Sequence, residues 1–136
     1  MSLAKRRPRE APCVLIIEDD LDARQLYSEW LRLKGCTVFT ASDGRAGLNK
    51  ALELRPDAVI LDLAMPRVDG WTVLKHLRES SMTSQIAVVV VSAMPDTRDS
   101  AMYAGADAYL SKPCPPEVVY LQLRALIRLR SAAELA

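Results

Sequence analysis

The sequence lacks the marks of membrane, secreted and disulfide-bonded proteins. Its 136 residues include only three cysteines, widely spaced and without a CxxC pair, which favours a reduced, cytoplasmic compartment. The longest apolar run, Ile86 to Val91, is far too short to span a bilayer. The basic N-terminal residues are not followed by the apolar segment of a signal peptide. We therefore expect a soluble cytoplasmic protein with no membrane partner.

The sequence also lacks an excess of charge of either sign. Its 18 Lys and Arg residues are balanced by 17 Asp and Glu residues, so direct nucleic acid binding is not expected. Half of the residues are apolar, which excludes a wholly disordered chain, and no repeat or low-complexity segment is present. We predict a mobile basic tail over residues 1–11, one folded domain over 12–130 and a C-terminal tail over 131–136.

Short apolar runs and helical patterns alternate five times along the chain. Apolar or β-branched runs predict strands at 13–17, 37–41, 58–62, 86–91 and 108–110. Apolar residues at helical spacing predict helices at about 21–34, 46–54, 71–78, 97–104 and 116–130. Right-handed crossovers between such units build an α/β fold. We predict a doubly wound, flavodoxin-like, five-stranded parallel sheet of order 2-1-3-4-5 with five helices.

Acidic residues follow two strands that are neighbours in this order. Glu18 and Asp19 come directly after strand one, and Asp62 ends strand three, so their carboxylates meet at the carboxyl edge of the sheet. Clustered carboxylates repel each other, and a divalent cation relieves the repulsion. Hard oxygen ligands select Mg²⁺. We predict Asp19 and Asp62 as direct ligands, Ala64 as a ligand through its backbone carbonyl, and Glu18 as a ligand through water.

Two further polar residues end the remaining strands at the same edge. Ser92 follows strand four and Lys112 follows strand five. Taken singly, they are better explained as a strand end and a solvated charge, so the prediction depends on their convergence with the carboxylates. A hydroxyl, an ammonium and Mg²⁺ together suit a phosphoryl group. Asp62 is then the predicted nucleophile, which carries an aspartyl phosphate.

The motifs that hold these residues resemble the receiver domain of two-component response regulators over about residues 12–130. They are Ile16-Ile17-Glu18-Asp19-Asp20, Leu61-Asp62-Leu63-Ala64-Met65-Pro66 with Asp69-Gly70, Val91-Ser92-Ala93, and the run from Gly105 to Pro113. The resemblance implies that Asp62 accepts a phosphoryl group from a phosphohistidine on a sensor histidine kinase or phosphotransfer protein. It also implies a signalling phosphoacceptor and not a multiple-turnover enzyme.

The resemblance further implies how the signal leaves the domain. Ser92 and Tyr109 are the implied switch, in which the hydroxyl moves toward the phosphate and the aromatic ring follows it inward. The surface formed by helix four, strand five and helix five is the implied contact for a downstream effector or a second copy. Excess apolar residues on helix five agree with such a contact, with Arg124, Arg128 and Arg130 at its rim. The Lys112-Pro113 bond is expected to be cis.

The sequence departs from this family at three positions. Family members often carry polar side chains that orient the dephosphorylating water two residues after the phosphorylated Asp and after the switch Ser. Here those positions hold Ala64 and Met94, so we hypothesise slow intrinsic loss of phosphate. Cys114 stands where the family more often has Phe.

Two other functions fit parts of the same pattern. An aspartate-nucleophile phosphatase of the haloacid-dehalogenase type would use Asp62 similarly, but it requires an Asp where Ala64 stands. A phosphorylation-independent binding module of the same fold would not need the conjunction of Asp19, Asp62, Ser92 and Lys112. Several remaining residues have structural explanations: Asp20 and Asp69 as caps or turn residues, His76 as solvated, and Met65 and Trp71 as core.

Overall fold

In a computed structural model that describes residues 11–135, five parallel strands form one sheet between two helical layers. The strands are β1 (Cys13–Ile17), β2 (Thr37–Ala41), β3 (Ala58–Leu61), β4 (Ala87–Ser92) and β5 (Ala108–Ser111). The helices are α1 (Leu21–Leu33), α2 (Gly44–Leu54), α3 (Gly70–Glu79), α4 (Arg98–Tyr103) and α5 (Pro116–Leu135). The strand order is β2-β1-β3-β4-β5, so the predicted fold class is confirmed.

Alternation along the buried strands divides the core into two layers. In β1, Leu15 and Ile17 face the layer of α2, α3 and α4, whereas Val14 and Ile16 face the layer of α1 and α5. Because both faces of the sheet are covered, the strands read as continuous apolar runs and not as alternating ones. The sequence pattern therefore identified the strands with little ambiguity.

Element boundaries differ from the prediction mainly at the end of the chain. Helix α5 continues to Leu135, although residues 131–136 were predicted to be a tail, because no Gly or Pro interrupts 131–135. Strand β4 begins one residue later than expected and includes Ser92. The predicted basic tail over 1–11 lies almost wholly outside the described residues. Between residues 11 and 135, no helix combines the length and apolarity needed to cross a membrane.

Aspartates cap three of the helices. Asp20 accepts a hydrogen bond from the backbone N–H of Ala23 at the start of α1, at 2.9 Å. Asp69 accepts one from the N–H of Thr72 at the start of α3, also at 2.9 Å, and Asp43 caps α2 in the same way. Such caps satisfy helix donors that have no partner within the helix. The capping interpretation of Asp20 and Asp69 is therefore confirmed.

A half-buried arginine links α3 to the amino-terminal edge of the sheet. The Arg78 guanidinium donates to the carbonyl oxygens of Gly105 (2.8 Å), Ser84 (3.0 Å) and Ile86 (2.7 Å), and to Asp107 Oδ2 (2.9 Å). Burial lowers the pKa of Arg78, and the adjacent Asp107 carboxylate opposes that shift. The segments before β4 and β5 are thus both fastened to one side chain.

Arg130 joins the same cluster from α5. Its guanidinium donates to Asp107 Oδ2 at 3.0 Å and to the carbonyl oxygen of Gln85 at 2.7 Å. Asp107 Oδ2 also accepts the backbone N–H of Val88 at 2.8 Å. The Arg130 side chain thus holds α5 against the sheet edge, and its predicted place at the rim of a partner surface stays a prediction.

Candidate functional site

The three predicted carboxylates meet where β1 and β3 end. These strands are paired with Ile17 opposite Leu61, so the residues that follow, Glu18 and Asp62, lie side by side. One oxygen each from Glu18, Asp19 and Asp62 lies within 4.8 Å of the others. Glu18 and Asp62 are buried, whereas Asp19 is exposed. The structure thus brings the carboxylates together with one of them open to solvent.

Lys112 reaches this cluster from the end of β5. Its Nζ lies 2.5 Å from Glu18 Oε1 and 3.4 Å from Asp62 Oδ2. The Lys112-Pro113 peptide bond is cis, as expected. The ammonium therefore faces the carboxylates, and its shorter contact is with Glu18.

Burial and mutual repulsion alter the titration of this group. Burial raises the pKa of Glu18, with a further contribution from Asp62, while Lys112 acts in the opposite direction. Burial and the neighbouring Glu18 raise the pKa of Asp19. Burial by itself lowers the pKa of Lys112, but the bonds and charges of Glu18 and Asp62 outweigh it, so the pKa is raised. The cluster therefore favours any added positive charge.

The donor set fits a hard divalent cation. Three carboxylates carry three negative charges when ionised, and the ammonium of Lys112 neutralises one of them. Carboxylate oxygens on a partly open site are the ligands that Mg²⁺ accepts while it retains several waters. Ala64 follows in the adjacent loop, and its backbone N–H donates to Asp62 Oδ1 at 3.1 Å. That contact orients the Asp62 carboxylate from the backbone.

Ser92 and Tyr109 are connected through the backbone of Met94. The buried Ser92 Oγ accepts the N–H of Met94 at 3.1 Å, a contact that leaves the hydroxyl hydrogen unused. The Tyr109 hydroxyl donates to the carbonyl oxygen of Met94 at 2.9 Å. Tyr109 is 5% exposed, so its ring lies inward. The two residues therefore hold opposite sides of one backbone segment.

Two residues that support the site were missed from the sequence. Arg24 of α1 donates to the carbonyl oxygens of Glu18 (2.8 Å) and Asp19 (3.3 Å), which fixes the acidic loop. Tyr27 donates to the carbonyl oxygen of Cys114 at 3.0 Å and so holds the segment that follows Lys112. A basic residue early in the helix after an acidic loop was a usable signal for Arg24. Tyr27 offered no signal, because its partner lies 87 residues away.

Gly70 allows α3 to approach the loop that carries Asp62. A Cβ at position 70 would lie 2.2 Å from the carbonyl oxygen of Asp62 and 2.5 Å from Leu63 Cα. Both are backbone atoms, so relief requires the loop or the helix to move. We expect Gly70→Ala to lower the free energy of unfolding by about 2 kcal/mol, as overpacking of a buried site does. Urea unfolding measures the loss.

The control for this prediction is Lys75→Ala on the exposed side of the same helix. That change should stay within about 0.5 kcal/mol of the wild type. Equal stabilities for Gly70→Ala and Lys75→Ala would contradict the close approach of α3 to Asp62.

The sequence and the fold both match known signalling proteins. A family model of the response regulator receiver domain matches residues 14–124. The transcriptional regulatory protein PrrA of Mycobacterium leprae is 41% identical over 124 residues, which cover 90% of this chain and 52% of PrrA. The chain thus spans about half the length of the curated relatives it matches.

Solved structures show the same architecture. The chemotaxis protein CheY4 of Vibrio cholerae superposes with a TM-score of 0.79 at 30% identity, covering 85% of this chain and 98% of CheY4. The receiver domain of the sensor histidine kinase PA1611 from Pseudomonas aeruginosa superposes with a TM-score of 0.79 at 24% identity, covering 86% and 98%. In that protein a magnesium ion is coordinated in the active site cleft.

Proposed function

Because the chain belongs to the response regulator receiver domain family, we propose that it stores a signal as a phosphoryl group on Asp62. The observation that carries this proposal is the convergence of Glu18, Asp19, Asp62 and Lys112 at one edge of the sheet. A buried carboxylate beside an ammonium and two further acids has the composition of a phosphoryl-accepting site.

The proposed transfer uses the side chains in distinct roles. A carboxylate oxygen of Asp62 forms a bond to phosphorus, and the bond from phosphorus to the imidazole nitrogen of a phosphohistidine breaks, leaving its electron pair on nitrogen. Lys112 and the unused hydroxyl hydrogen of Ser92 contact the phosphoryl oxygens. The donor is a sensor histidine kinase or a phosphotransfer protein.

The proposal includes one Mg²⁺ ion at the acidic cluster. Asp19 and Asp62 would bind it directly, Ala64 through its carbonyl oxygen and Glu18 through water. When bound, the ion would neutralise charge on the phosphoryl oxygens. The excess of carboxylates over ammonium groups in this cluster supports its presence.

We further propose that the signal leaves through the face of α4, β5 and α5, with Ser92 and Tyr109 as the switch. Helices α4 and α5 expose apolar side chains, including Tyr103 and Val118. Such exposure supports the proposal that this surface binds a protein. That partner is a downstream effector or a second copy, and direct nucleic acid binding is not part of the proposal. Residues 12–130 act in the cytoplasm as the receiver unit.

Intact-mass measurement tests the phosphoacceptor directly. The protein is incubated with Mg²⁺ and a small acyl phosphate, and it should gain the mass of one phosphoryl group. Asp62→Asn should gain none, whereas the control Asp69→Asn, which alters a helix cap in the same loop, should still be modified. Uptake by Asp62→Asn would overturn the assignment. Repeated turnover of a general phosphate ester would favour the phosphatase alternative instead.

Phosphate lifetime should depend on position 64. Ala64 is exposed and offers no polar side chain to orient an attacking water. We expect Ala64→Asn to speed phosphate loss by roughly tenfold, the effect of one oriented hydrogen bond worth about 1.4 kcal/mol. The mass of the phosphorylated protein is followed over time after the donor is removed.

The matched control for position 64 is Ala125→Asn on the exposed side of α5. It makes the same chemical change away from the site and should leave the lifetime unaltered. An unchanged lifetime in Ala64→Asn would contradict the hypothesis that Ala64 contributes to slow dephosphorylation.

A further inference from the structure

Thr97 contacts the hydroxyl of the switch residue Tyr109. Its Oγ1 lies 2.7 Å from the Tyr109 hydroxyl oxygen and 3.1 Å from the carbonyl oxygen of Met94. Tyr109 itself donates to that Met94 carbonyl at 2.9 Å. Two hydroxyls and one carbonyl therefore form a closed triangle at the start of α4.

The number of hydroxyl hydrogens limits how many of these contacts are hydrogen bonds at one time. Each hydroxyl has one hydrogen to donate, so the three contacts cannot all be hydrogen bonds at once. The shortest contact, at 2.7 Å, joins the two hydroxyls, and either of them can be its donor. Whichever hydroxyl donates, the other can donate to the Met94 carbonyl, so the three groups form a hydrogen-bonded chain. Such chains strengthen each member.

The Thr97 hydroxyl contacts Tyr109 and does not cap α4. Thr97 occupies the N-cap position, yet its backbone is helical (φ −110°, ψ −1°) and its hydroxyl caps no N–H among the described residues. By contrast, the Asp caps of α1 and α2 have extended backbones and accept a helix N–H. A residue type that commonly caps helices is instead turned toward Tyr109.

The surroundings of the ring explain why it needs a polar anchor. Tyr109 is buried in the same core layer as Ala101, Ala104 and Ala106. An inward phenol with its hydroxyl unpaired would be costly, because a buried polar group loses its bonds to water. The Met94 carbonyl and Thr97 together satisfy it.

From this geometry we infer that Thr97 is a positioning residue for the switch. It holds the Tyr109 ring inward before any phosphoryl group arrives and ties the ring to the N-cap position of α4. The role of Tyr109 as the switch rests on the proposed function; the contact with Thr97 does not. Outward rotation of the ring must therefore break its contact with Thr97 as well as its contact with Met94.

Nitration of tyrosine by tetranitromethane measures how often the ring is outward. Thr97→Val keeps the shape of the side chain and removes its hydroxyl. We expect Tyr109 to be nitrated roughly fivefold faster in Thr97→Val, the population change from losing one ordinary hydrogen bond. Peptide masses report each tyrosine separately. Thr97→Ser retains the hydroxyl and should restore the wild-type rate.

Two other tyrosines distinguish a local effect from general loosening. Tyr103 is 96% exposed and Tyr27 is 5% exposed, so they report free and protected rings in the same sample. Both should react at wild-type rates in Thr97→Val. A wild-type rate at Tyr109, or an equal acceleration at Tyr27, would overturn the inference.

The measurement is made without a phosphodonor, so it is independent of chemistry at Asp62. If Asp62 is not phosphorylated but Tyr109 is nitrated faster in Thr97→Val, the proposed function fails and the positioning role stands. If Asp62 is phosphorylated and Tyr109 reacts at the wild-type rate, only the role of Thr97 is lost.

Discussion

Replacing Lys112 with Met should slow phosphorylation of Asp62 by roughly 10²–10³-fold, the usual effect of removing one group that stabilises charge in a transition state. The Lys112 ammonium lies 3.4 Å from Asp62 Oδ2 and 2.5 Å from Glu18 Oε1. Met keeps much of the length of the side chain but has no charge. Intact mass against time with a small acyl phosphate gives the rate.

Lys75→Met provides the comparison for Lys112→Met. Lys75 is exposed on α3, so the same substitution there should leave the phosphorylation rate at the wild-type value. Urea unfolding of both variants establishes that each retains the fold. A Lys112→Met protein that is folded and phosphorylated at the wild-type rate would show that the ammonium has no part in the transfer.

Arg78→Ala should lower the free energy of unfolding by about 3 kcal/mol, because it leaves three carbonyl groups without their side-chain donor and removes one of the two guanidinium partners of Asp107. The carbonyls belong to Gly105, Ser84 and Ile86, which lie in segments on both sides of β4. The loss should therefore appear as a lower urea midpoint with an unchanged slope.

The comparison for Arg78→Ala is Arg128→Ala, which removes an exposed arginine from α5. That change should be within about 0.5 kcal/mol of the wild type. Asp107→Asn should fall between the two, because an amide oxygen can still accept the N–H of Val88. Equal stability of Arg78→Ala and Arg128→Ala would show that the Arg78 cluster contributes little to the fold.

Local sequence pattern predicted the fold and the acidic cluster. Strand β1 has the predicted bounds, and alternation with right-handed crossovers predicted the doubly wound parallel sheet, whose order is the expected one. Once β1 and β3 are neighbours, parallel register places Glu18 beside Asp62. Two simple facts, where each apolar run stops and which strands are adjacent, were therefore enough to bring these carboxylates together.

Contacts between distant segments could not be predicted in this way. Arg78 and Asp107 are 29 residues apart, and nothing in the helical pattern of α3 indicates that its arginine turns toward the sheet edge. Thr97 was predicted only to start a helix, because the competing acceptor on Tyr109 becomes visible only after β5 is placed. Such side chains have several possible hydrogen-bond partners, and tertiary packing determines which partner is within reach.

At position 64, the backbone orients the Asp62 carboxylate, whereas the side chain is free to change without affecting that contact. The oxygen of Asp62 is held by a main-chain N–H, which every residue except proline provides, while the methyl group of Ala64 points to water. If Asp62 is the phosphoacceptor proposed above, a single codon change at this position would alter the lifetime of its phosphoryl group while the carboxylate keeps its orientation.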